Sequence, residues 1–130
     1  MIEKQPTIIM TSEPAPDLTI EQATDLCNQI ETEQELAHLF ACVSNKACWL
    51  SDELYDYTFD SAEYKKLRDC VDPWFSLMQN LLVKICDILI AEGVKIPDKG
   101  KILVLTPFME RNGFRNGNGW WIKVGSNHAV

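Results

Sequence analysis

The chain has two histidines, no cysteines in C-x-x-C spacing and no G-x-x-x-x-G-K-[ST] loop. Those absences remove the simplest routes to a zinc centre, a redox dithiol and a phosphate cradle. The five cysteines that are present, Cys27, Cys42, Cys48, Cys70 and Cys86, are odd in number and far apart. That pattern argues against a disulfide scaffold and for reduced thiols carried inside helices. His38 and Cys42 stand four apart, a spacing that two metal ligands can share on one helix, but no second pair completes a tetrahedral set. None of Ser12, Ser44, Ser51, Ser61, Ser76 and Ser126 sits in a nucleophile-elbow pattern. The expectation is a protein with no catalytic residue, no metal and no cofactor.

Long apolar runs are missing as well. Runs such as residues 88–91 and 102–105 fall far short of the roughly 18 residues that read as a membrane span, so no membrane association is expected. Residues 1–6 carry neither the charged start nor the apolar stretch of a secretory signal, which points to the cytoplasm. Basic side chains are scarce where acidic ones are dense. Residues 1–93 hold 17 acidic and 6 basic side chains, net −11, whereas residues 94–130 hold 2 and 6, net +4.

A length of 130 residues with 46% hydrophobic and 24% charged side chains suits one globular domain. Pro6, Pro14 and Pro16 mark residues 1–18 as an extended arm, with strand character only at residues 7–10. Residues 19–130 form the domain. Its strongest signal is a pair of unbroken 3–4 apolar spacings: Leu36, Phe40, Val43, Ala47, Leu50, Leu54 and Tyr57, then Tyr64, Leu67, Val71, Trp74, Met78, Leu81, Ile85 and Ile88. Such spacing predicts helices packed against each other.

Capping patterns set the boundaries. Thr19–Gln22 opens a short helix over residues 20–30, and Thr32–Glu35 opens the first long arm, expected to reach residue 57. A third box-like start at residues 60–63 leaves Thr58 and Phe59 as the turn, so the arms run antiparallel with facing positions summing to about 118. In that register Asp72 faces Lys46, and Glu53 faces Lys65 and Lys66. The i, i+3 carboxylate pairs Glu53/Asp56 and Asp69/Asp72 then read as ion-pair partners rather than a metal site. Pro73 falls inside the third helix, read as continuous but kinked because the apolar phase persists across it. The helix end over residues 81–90 is apolar nearly all round and calls for cover on several sides.

Beyond a stop at Glu92-Gly93, residues 101–109 read as a strand limited by Pro107, and residues 120–124 as its partner. Three Asn-Gly dipeptides between them favour left-handed turns. The expected class is therefore α+β, mostly α: a kinked antiparallel helical hairpin with a short N-terminal helix and a C-terminal β-hairpin spanning about residues 101–124.

With no catalytic set, the expected function is a small soluble regulatory or accessory protein that acts by binding another protein. Arg111, Phe114, Arg115, Trp120, Trp121 and Lys123 are the candidate contact residues, since aromatic and Arg side chains dominate contact energetics. Strand alternation places one of the two tryptophans in the core over residues 81–90 and the other outward. The same cations and indoles suit nucleic acid, the first alternative. The acidic helices suit a nucleic-acid mimic of the kind used by phage and mobile-element inhibitors, the second. The heptads could also pair two chains into a helical homodimer.

Overall fold

The computed structural model describes residues 18–96, 101–117 and 120–124. They form α1 (Ile20–Asn28), α2 (Glu33–Glu53), a 3₁₀ turn (Leu54–Asp56), α3 (Ala62–Ala91), α4 (Lys101–Arg111), β1 (Phe114–Gly117) and β2 (Trp120–Lys123). The expected class, mostly helical α+β with a C-terminal β-hairpin, is what the chain adopts. The arm expected over residues 1–18 and the strand at residues 7–10 lie outside the described residues, apart from Leu18, which is buried.

Helix starts follow the capping chemistry. The Thr19 and Thr32 hydroxyls accept from the backbone N–H of Gln22 and Glu35 at 3.1 Å, and both longer side chains accept in return from the cap residue's N–H. At α3 the cap is Ser61, one residue later than the box-like start suggested. Asp60 has φ 65° and closes the turn, which leaves Ser61 as the first extended residue before the helix. At the far end Val94 N–H reaches Leu89 O and Gly93 N–H reaches Ile90 O, with Gly93 at φ 90°, a Schellman stop at the expected Glu92-Gly93.

Both in-helix prolines are tolerated. α3 runs unbroken through Pro73, as expected, and α4 continues through Pro107; both rings are exposed, so the carbonyls they leave unbonded can meet water. α3 is also the one described helix long and apolar enough to cross a membrane by length and composition, a test that helices packed in a core also pass; it lies along α2.

The seam keeps its predicted phase: Leu36, Phe40, Val43 and Ala47 on α2, and Val71, Trp74, Leu81 and Ile85 on α3, are all buried. Leu77 and Leu89 are buried where Met78 and Ile88 were expected and are only half-buried, a small rotation of the α3 stripe. Register is close to expectation, since Lys46 Nζ lies 5.7 Å from the Trp74 ring. Asp72 does not fill the role foreseen for it opposite Lys46. It pairs along its own helix with Arg68 at 3.1 Å.

Two expectations are corrected. α3 does meet α1 and α4 as well as α2, but the more deeply buried element is α2, not the end of α3. Every residue from 36 to 47 except the half-buried His38 is buried, including Ser44, Asn45 and Lys46, because α1, α3 and β2 all pack on this helix; Val83 and Ile90 of α3 stay exposed. Second, residues 101–109 belong to α4, not to a strand, and the hairpin is the shorter pair β1–β2, with Phe114 opposite Lys123 and Gly117 opposite Trp120. Leu105, Phe108, Met109 and Asn112 are buried at helical spacing, and a short apolar run cannot be assigned by local periodicity alone.

Candidate functional site

The six candidate contact residues sit at the C-terminal end of the chain, and much of their chemistry is turned inward. Arg111 ends α4 between two carboxylates. Its guanidinium donates to Glu33 at 2.7 and 2.8 Å and to Glu92 at 2.9 and 3.0 Å, tying α4 to the start of α2 and the end of α3. Asn112 adds a bond to Glu33 at 2.7 Å and returns one to Phe108 O at 2.9 Å. Phe114 is buried edge-on to His38, with ring centroids 5.8 Å apart, and Lys123 Nζ sits 5.0 Å from the centroid of the same Phe114 ring. Trp121 is buried too, over α2 rather than over residues 81–90: its N–H donates to Asn45 Oδ1 at 2.9 Å and its carbonyl accepts from Asn45 Nδ2 at 3.0 Å. The amide of Asn45 thus continues the strand's hydrogen bonding where a two-stranded sheet alone would be marginal. Arg115 is exposed on β1, while the Trp120 side chain lies outside what the structure describes.

Ionisation follows the same contacts. The bond from Arg111 holds the Glu33 carboxyl below its ordinary value of 4.5, against an opposing effect of burial, with Asn112 and the Arg111 charge adding to the depression. The same pairing raises Arg111. A carboxyl depressed on folding contributes stability above its unfolded value and loses it as pH falls through the folded one. The melting temperature of the wild type is therefore expected to exceed that of Arg111→Met at neutral pH, by an amount that shrinks once pH drops below 4.5. A difference constant from neutral to acid pH would show that the ion pairs add nothing. Cys42 is pushed up to about 12 by burial, and Cys48 is raised by burial and by the Asp52 charge, so neither is an activated thiol. No disulfide joins any of the five cysteines. Among the described residues no three His, Cys, Asp or Glu side chains converge as a metal site requires.

A surface with room for a ligand lies at the opposite end of α2. At Glu53 the helix gives way to the 3₁₀ turn, four residues before the expected end, and Tyr57 follows in extended conformation with its N–H on Leu54 O at 3.2 Å. A β-turn then closes from Ser61 N–H to Thr58 O at 3.0 Å. Tighter winding takes the chain off the seam, so Tyr55 and Tyr57 point away from the core. Together with Phe59, Tyr64 and Phe75 they line an open groove of about 630 Å³ between the C-terminal end of α2 and the first turns of α3. All three tyrosines of the chain are in it. Tyr55 is 86% exposed and Phe59 76%, the latter edge-on to Tyr64 with centroids 5.2 Å apart.

Sequence reasoning missed this groove by assigning Tyr57 and Tyr64 to the buried seam. The available signal was local: Tyr55, Tyr57 and Phe59 recur at every second residue, a period that no helical seam accommodates. Comparison with protein-family models, curated proteins and solved structures finds no match to this chain.

Proposed function

We propose that the protein is a non-enzymatic accessory protein that binds another protein, and that the aromatic groove at the α2–α3 elbow is the contact surface. The observation that carries this reading is the exposure of Tyr55 and Phe59 on the rim of a preformed groove, where neither ring contributes to the core. Single exposed apolar residues need no explanation, whereas aromatics gathered around a concavity are the usual anchors of an interface. A cytoplasmic setting fits five cysteines that form no disulfide.

The hairpin reading is weaker by comparison. Arg111 already holds two carboxylates and Trp121 faces α2, so nucleic acid would meet chiefly Arg115 and Lys123. Two cations give a small counterion-release term. Affinity capture with the wild type and with the double variant Tyr55→Ser/Phe59→Ser separates the two surfaces. The double variant is expected to melt within a few degrees of the wild type and to lose the captured partner. Retention of the same partner by the folded double variant would overturn the groove as contact surface.

A further inference from the structure

We infer that the occupant of the elbow groove is a basic segment of the partner protein, which lays an Arg or Lys side chain against the tyrosine rings. The inference rests on the reading that the groove is the contact surface, and adds the chemistry of what enters it.

Charge complementarity carries it. From residue 51 to residue 63 the chain bears Asp52, Glu53, Asp56, Asp60 and Glu63 and no basic side chain. Widening the window to residue 75 adds three basic and two acidic residues and leaves a net charge of −4. Two of those three cations are paired nearby, Lys65 with Asp60 at 3.5 Å and Arg68 with Asp72 at 3.1 Å. The segment that carries the groove is therefore negative in excess of its internal pairing, and a partner segment of like charge is repelled from it.

The groove also displays the contact that the inference requires. Arg68 lines it, with its guanidinium held by Asp72 at 3.1 Å on a wall that Tyr64 shares. A guanidinium paired with a carboxylate is thus already accommodated on this wall. Tyr55, Tyr57 and Phe59 supply further ring faces on a stretch of chain that also carries Asp52, Glu53 and Asp56, and a cation over such a face is attracted by the ring quadrupole while the nearby negative charge adds to the attraction. Nucleic acid and anionic lipid are disfavoured by the same excess. A basic surface that ordinarily holds nucleic acid is within the predicted class of partner.

The test uses the full chain, isotopically labelled for amide NMR, and four synthetic nonapeptides in which leucine alternates with Arg, Lys, Gln or Glu. The Arg and Lys peptides are expected to shift the amides of Tyr55, Tyr57, Phe59 and Tyr64. Their affinity is expected to fall about threefold or more as salt is raised from low to above physiological strength. Asp52→Asn/Glu53→Gln/Asp56→Asn is expected to weaken the Arg peptide by a similar factor, and Tyr55→Ser/Phe59→Ser by about tenfold. Equal or tighter occupation of the groove by the Gln or Glu peptide would overturn the basic occupant and leave the groove as contact surface standing. Basic peptides that leave these four amides unmoved would overturn it as well. Shifts of the groove amides that depend on protein concentration, with no peptide present, would place a second copy there and overturn it in favour of self-association. Failure of the groove itself is read separately, from a captured partner indifferent to Tyr55→Ser/Phe59→Ser.

Discussion

Replacing Asn45 with leucine is expected to destabilise the fold by about 3 kcal/mol, roughly a 150-fold shift toward the unfolded state. Asn45 is fully buried in the middle of α2, and its amide makes one donated and one accepted bond to the backbone of Trp121. Leucine has the same branched shape and is somewhat larger, so no cavity is created and the loss is the two polar bonds together with some overpacking. Removing the amide leaves both the N–H and the carbonyl of Trp121 buried beside an apolar side chain, at about 1–3 kcal/mol for each unsatisfied group. Urea denaturation followed by circular dichroism and by tryptophan fluorescence measures the effect. A change below about 0.5 kcal/mol would mean that water replaces both bonds and that the hairpin is held by its side chains alone. Fluorescence changing ahead of the helical signal in the variant would show that β1–β2 detaches as a unit.

Phe108→Ala is expected to cost about 4 kcal/mol, the middle of the range for deleting a buried ring. The side chain is 1% exposed on α4, and its neighbours Leu105, Met109 and Phe114 are buried with it. The lost transfer energy and the cavity add, because the surrounding helices cannot collapse fully into the space. Phe59→Ala, at the exposed turn, is the matched comparison, and its effect on stability is expected to stay within about 0.5 kcal/mol. The same chemical deletion thus separates a ring that holds the fold from one that is free to hold something else. A cost below about 1 kcal/mol at Phe108 would contradict the packing of α4 against the body.

How much of this was legible from residues alone depends on how local the deciding interaction is. Thr19, Thr32 and the Glu92-Gly93 stop were readable because caps act over three to five residues. The α2–α3 seam was readable because its period is long enough to override weak helix formers such as Ser44 and Asn45. α4 was not, since residues 101–109 are apolar and partly β-branched, and what decides for helix is burial of Leu105, Phe108 and Met109 against elements distant in the chain. The inward turn of Trp121 was half legible, as alternation allows one buried indole but does not say that an asparagine on α2 receives it. Arg111 looked like a free cation because its partners, Glu33 and Glu92, lie 78 and 19 residues away. The elbow groove escaped for the opposite reason. A seam pattern was extended past Glu53, although one 3₁₀ turn suffices to rotate three aromatic rings into solvent.

The bond between Asn45 and Trp121 joins positions 76 residues apart, and this separation sets an order of events during synthesis. At about 5–20 residues per second, the ribosome needs on the order of 4 to 15 s to add the chain between them. Through that interval α2 and α3 can already pair, because their contacts are closer in sequence and their closure entropy is smaller. The nascent protein is then a helical hairpin with one side of its central helix, around Asn45, still open to water. Closing that side waits for Trp121 to leave the ribosome, so a message truncated shortly before codon 121 would yield a chain that holds its helices yet exposes the flank around Asn45 to chaperones and proteases.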